Sequence, residues 1–196
     1  MKKIKISYNS PVVLTFVFLC FVATIIGMIT KNEMTKVFFS VYQSSLLNPL
    51  TYIRFIAHIL GHLDFEHFMS NTIFLLLLGP MLEEKYGAKI LIYVMMATAL
   101  VTGVIHFIFN GSTMLCGASG IVFAYVILSS YTSFKDGEVP LSFILVTVLF
   151  IGKEIYSGIT IQDNISNFTH ILGGVVGGVS GYFLNKSKNE KRLFIK

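Results

Sequence analysis

Residues 116–126 read CGASGIVFAYV, a small Gly-Ala-Ser-Gly knot at the head of an otherwise apolar run. A serine set between small residues stands out in a chain of 196 residues that is 54% hydrophobic and 13% charged, with a mean hydropathy of +0.75. That composition excludes an ordinary soluble domain. A spanning helix needs about 20 mostly apolar residues, and windows that qualify fall near 12–30, 66–82, 90–109, 117–134, 139–156 and 168–185. The expectation is an all-α polytopic membrane protein. It forms one domain over 1–196, a bundle of six transmembrane helices followed by a short basic tail over 186–196.

The length of the knot's own span sets its depth. Gly117 to Phe134 makes about 27 Å of helix, which barely crosses a hydrocarbon core of about 30 Å. With the far end at Lys135 and Asp136, Ser119 lies at or slightly below the opposite surface of the hydrocarbon, and Met114, Leu115 and Cys116 descend to it as non-helical chain. Irregular backbone at that depth has to line a wet cavity or be buried in protein.

The first window follows Lys2, Lys3 and Lys5 but is long and lacks a small-residue cleavage site, so it reads as a retained span rather than a signal peptide. With the N-terminus inside, the cytoplasmic loops collect Lys2, Lys3, Lys5, Lys85, Lys89, Lys135, Lys186, Lys188, Lys191, Arg192 and Lys196; the other side has Lys31, Lys36, Arg54 and Lys153. This is the bias of positive loops kept inside, with both termini cytoplasmic. The net charge of +5 therefore implies no nucleic acid, and the tail lysines face anionic lipid headgroups. Cys20 and Cys116 lie in apolar segments without partner spacing, so neither a disulfide framework nor a thiolate metal site is expected. The longest connection, from about Lys31 to Asp64, is too apolar for a solvated loop. It reads as membrane-associated, with short amphipathic helices interrupted at Asn48-Pro49.

Polar or small residues interrupt three spans, each toward its outer end. HILGHLDFEHFMSN carries His58, His62, His67 and Asn71, and the last two, four apart, share one helix face. The knot carries Ser119. In THILGGVVGGVSG, His170 stands above Gly173, Gly177 and Gly181 at helical spacing, a stripe that lets another helix approach backbone to backbone. The short fourth span is the natural neighbour. A serine hydroxyl needs a base within hydrogen-bond reach, and histidine is the usual one near neutral pH. Ser119 and His170 can form that pair. Attack on an amide also creates an oxyanion, for which the Ser119 N–H, the Asn71 amide and the His67 ring are candidate donors.

These residues together resemble a rhomboid intramembrane serine protease, over about Arg54 to Gly181. The bare six-span form is similar to the family's minimal bacterial core, which implies a bacterial cell membrane and a site facing outward. The resemblance implies a Ser-His dyad without an acidic third member, and no cofactor or metal. Its substrates would be single-pass transmembrane proteins, cut in or near the bilayer. On matching positions Ser119 is the nucleophile and His170 the base; His67, Asn71 and the Ser119 amide hold the oxyanion. His62 supports the first loop. The fifth span and SGITIQDNISN form a gate and cap, and Glu83-Glu84-Lys85 ties helices on the cytoplasmic side. Where many relatives have Trp-Arg in the first loop, Arg54 here follows Ile53, leaving that loop's anchoring open. Phe123 stands where relatives often have a tyrosine stacked on the catalytic histidine, keeping the ring and losing the hydroxyl.

Other readings attach to the same residues. Membrane histidines often bond a carbonyl and hold helices together, and His58 and His106 are read that way. Glycine stripes usually mean packing, so Gly173 matters through His170, and Gly117 through the turn it allows. His58, His62 and His67 cluster, but the His-Glu-x-x-His of zinc proteases is absent. A non-catalytic rhomboid-like binder is the alternative from another class. A small transporter finds no inverted repeat in the sequence.

Overall fold

The computed structural model describes residues 6–109, 112–133, 138–160 and 164–193. Among these, eight α-helices follow in order: α1 Pro11–Ile29, α2 Glu33–Phe38, α3 Pro49–Ala57, α4 Phe65–Tyr86, α5 Ala88–Phe109, α6 Ser119–Ser130, α7 Leu141–Thr160 and α8 Asn164–Leu193. α1, α4 and α5 are long and apolar enough to cross a membrane. α7 and α8 stand where the fifth and sixth spans are expected, with α8 overrunning 168–185 at both ends. The lysines at 2, 3, 5 and 135 and the last residues of the basic tail, 194–196, lie outside the described residues.

Local chemistry sets the helix starts. Pro11 and Pro49 open α1 and α3, where a missing N–H costs nothing. Asn48 Oδ1 accepts the Leu50 N–H at 3.0 Å, so the expected break at Asn48-Pro49 is a capped helix start. Asp64 caps α4 by accepting the His67 N–H at 2.7 Å. Gly87, at φ 85°, turns the chain from α4 into α5 in one residue. The fourth span, expected over 117–134, is shorter. Gly117 has φ 127°, outside any helix, so α6 begins at Ser119, and after Ser130 it tightens into a 3-10 turn over Tyr131–Ser133.

α6 is apolar on every side and sits inside the bundle. Ile121, Ala124, Tyr125 and Leu128 are almost wholly buried, and α4, α5, α7 and α8 all contact the helix. Its closest partner is α8. A Cβ added at Gly173 would fall inside the Gly120 carbonyl, and one at Gly177 inside that of Ala124. The glycine ladder thus brings two backbones together, as its spacing predicts.

At the opposite end of α6, charge locks the helices. Ser10, at the N-cap of α1, makes no side-chain capping bond. Glu83, near the end of α4 and buried, does so from a distance: its Oε1 and Oε2 accept the N–H groups of Val12 and Val13, each at 3.1 Å. Lys85 Nζ donates to the Thr132 carbonyl at 2.6 Å. Glu83→Ala would strip a carboxylate from the positive end of α1 and orphan two donors. Thermal unfolding in detergent is expected to show a loss of about 2–4 kcal/mol. Unfolding identical to the parent would mean that α1 does not depend on this cap.

The first loop is anchored despite Ile53. Arg54 is buried at 5% exposure; its Nε donates to the Val37 carbonyl at 2.7 Å and its Nη1 to Ser44 Oγ at 3.4 Å. The guanidinium also lies 4.5 Å over the Tyr42 ring, a contact that replaces hydration of the buried charge.

Candidate active site

The chain that leads into α6 is strapped to the first loop. Val41 and Leu115 exchange both backbone hydrogen bonds at 2.9 Å. Gly117 N–H donates to the His58 carbonyl at 2.9 Å, and Ala118 N–H points at His62 Nε2 at 3.4 Å. From α5, His106 Nε2 lies 3.0 Å from the Thr113 carbonyl. A carbonyl only accepts, so His106 carries its proton on Nε2. The same logic applies to His62, whose Nδ1 lies 3.2 Å from the Leu60 carbonyl. Nδ1 is protonated and Nε2 is the bare acceptor that Ala118 needs. Burial first, and the His67 imidazole second, push His62 down to about 4. The acceptor therefore persists through neutral pH.

Gly117 is required twice over. Its φ of 127° is a conformation other residues rarely adopt, and a Cβ there would lie 2.8 Å from His67 Cε1 and Nε2 and 3.9 Å from Asn71 Nδ2. α4 carries these two side chains one turn apart, so both reach the turn. Asn71 is 6% exposed, and its Nδ2 is a buried donor with no hydrogen-bond partner among the described residues. A buried donor left unused is costly, which makes it a place where an acceptor is welcome.

α8 brings His170 to the same place. Its ring stacks on Phe123 with centroids 4.0 Å apart and planes 15° off parallel. Ser119, His170, His67 and Asn71 line one cavity of about 410 Å³, bordered by Ser70 and Cys116 among others. The Ser119 hydroxyl has no hydrogen bond to another described residue. Such bonds are often loose without substrate and tighten when it binds. The remaining expected residues, Gly117, Phe123, Gly173 and His62, surround these four as turn, stack, helix contact and strap. Of the stretch SGITIQDNISN, expected to gate the site, 157–160 end α7 and 164–167 open α8, while 161–163 lie outside the described residues.

Sequence reasoning missed the strap. Val41, Leu115 and the His58 carbonyl act through backbone atoms, which leave no mark in side-chain pattern. His106, expected to bond a carbonyl, bonds that of Thr113 in the loop that leads to Ser119. His58 is structural as well: its rings nitrogens lie 3.2 Å from the Arg54 carbonyl and 3.2 Å from Thr102 Oγ1.

The Rhomboid domain family matches residues 49–187, well over half of the chain, and the chain belongs to that family. It is similar to the rhomboid protease GlpG of Haemophilus influenzae, 26% identical over 137 residues that cover 68% of this chain and 70% of that protein. The rhomboid protease GluP of Bacillus subtilis is 27% identical over 155 residues, 76% of this chain and 29% of the relative. Rhomboid-related protein 1 of Caenorhabditis elegans is 27% identical over 151 residues, 71% of this chain and 42% of the relative. The matches thus span less than half the length of the last two proteins. The family and the apolar helices make the chain an integral membrane protein.

Proposed function

We propose that the chain is an intramembrane serine endopeptidase that hydrolyses peptide bonds in or near transmembrane segments of single-pass membrane proteins, using Ser119 and His170 as its dyad. The observation that carries this reading is the meeting of Ser119, His170, His67 and Asn71 in one cavity, with the Asn71 amide buried and unpaired among the described residues. Ser119 Oγ attacks the scissile carbonyl while His170 takes its proton. The Ser119 N–H, Asn71 Nδ2 and the His67 ring receive the oxyanion. Collapse breaks the C–N bond, and His170 returns the proton to the leaving amine. Water then attacks the acyl-enzyme, His170 again accepts a proton, and the carboxylate product leaves with Ser119 restored.

The domain would be a single six-span unit in a bacterial cell membrane, with both termini cytoplasmic and the cavity reached by water from the outer face. No cofactor or metal is required. Both bacterial relatives are rhomboid proteases by name, which supports the protease reading.

A fluorophosphonate tests it directly. The reagent should label Ser119 in the parent, and a reconstituted single-pass substrate should be cut with or without chelator. Absence of both labelling and cleavage in folded protein would favour a non-catalytic binder. Asn71→Ala, which removes one donor among several, is expected to slow turnover by about 10²-fold. A loss as deep as that from removing Ser119 would contradict the shared oxyanion site.

A further inference from the structure

A second, larger hollow of about 670 Å³ lies between α1, α3 and α5. Leu19 of α1, Ala57 of α3 and Ile92, Met95 and Met96 of α5 form its walls, and Thr15 is the one polar side chain among the described lining residues. Thr15 spends its hydroxyl on Tyr8 Oη, 2.9 Å away. What remains is a hydrocarbon-walled slot. Along α1 the lining runs from Pro11 to Leu19, about 12 Å of helix at 1.5 Å per residue, most of one leaflet's hydrocarbon depth of about 15 Å.

Lys89, in the first turn of α5, shares a helix face with Ile92 and Met96, three and seven residues further on. It is exposed and has no hydrogen-bond or ion-pair partner among the described residues. The slot is thus apolar in depth and positive at the end where α5 begins. An empty slot would leave its lining without dispersion contacts on one side. Three walls distinguish it from the flat helix surface that any lipid can brush past.

We infer that this hollow binds an acyl chain of an anionic phospholipid from the leaflet on the Pro11 side, with Lys89 meeting the phosphate. The inference does not rest on the catalytic reading, because α1, the start of α5 and Lys89 take no part in the dyad. Protease activity and lipid binding can each fail alone.

The chain contains no tryptophan, so a single introduced one reports its own surroundings. Ile92→Trp, or Met96→Trp as a second reporter, is placed in phosphatidylcholine vesicles with increasing fractions of phosphatidylglycerol brominated on its acyl chains. Leu77→Trp, on a residue of α4 that is 69% exposed, reports ordinary lipid contact. Half-quenching in the slot should need about five-fold less brominated anionic lipid than at Leu77, the worth of one lysine at an anionic surface. Lys89→Glu should abolish that preference and Lys89→Arg should keep it. Equal curves at the slot and at Leu77, or equal quenching by brominated phosphatidylcholine, would overturn the proposal. Protection from bromine in both lipids would also overturn it, because protein, such as a second copy of the chain, would then fill the slot.

Discussion

Ser119→Ala and His170→Ala proteins, each folded and reconstituted with a single-pass substrate, are expected to leave it uncut under conditions where the parent cleaves it. Residues that act as one chemical unit fail together. Losing either should cost about 10⁴-fold or more in turnover, and the double variant should be little worse than either single one. Residual rate would come from the oxyanion donors and binding alone, so Asn71→Ala added to Ser119→Ala should lower it further. Single-turnover cleavage in vesicles measures all five proteins on one scale. If either single variant cuts as fast as the parent, the dyad is misassigned. If His170→Ala retains fluorophosphonate labelling at the parent rate, His170 is not the base that activates Ser119.

Gly173→Ala should have the next largest effect, although the residue touches no substrate. Its added Cβ would fall within the Gly120 carbonyl, one residue beyond Ser119 on α6 and three beyond His170 on α8. Backbone cannot swing aside as a side-chain tip can, so the helices must part. A misplacement of about 1 Å between reacting groups costs about 10²-fold in rate, with about 1–3 kcal/mol of stability lost to overpacking. Gly174→Ala is the matched control, since its Cβ would meet Ile127 Cγ1 at an ordinary 3.6 Å. That variant should cleave and unfold much like the parent. Cleavage and thermal unfolding measured side by side separate geometry from stability. Equal cleavage by the two glycine variants would mean that the α6–α8 contact does not set the dyad.

Much of this arrangement is legible in the sequence. Helix positions follow from apolar run length, since a bilayer demands continuous apolar helices. His67 with Asn71 and His170 with Gly173 were readable because helical periodicity ties spacing to a shared face. The structure places all four of these residues where that periodicity points. Less legible was the start of α6, expected at Gly117 but found at Ser119. The left-handed turn at Gly117 depends on room left by the His67 ring, a contact made across 50 residues of chain. The anchoring of Arg54, left open by Ile53, depends on the Val37 carbonyl and the Tyr42 ring.

By itself, the sequence determined that this protein lies in a membrane as a helical bundle, and which side chains could carry chemistry. Hydropathy and helical spacing are local properties, and each residue contributes to them wherever its neighbours in space happen to be. Tertiary structure alone decided how the turn that carries Ser119 is held. The Val41–Leu115 bridge, the His58 carbonyl on Gly117, the His62 nitrogen near Ala118 and the Glu83 cap on α1 all join distant parts of the chain. Most of these contacts use backbone atoms, which every residue has alike. They acquire partners only when the helices pack, because packing is what excludes the water that would otherwise satisfy them.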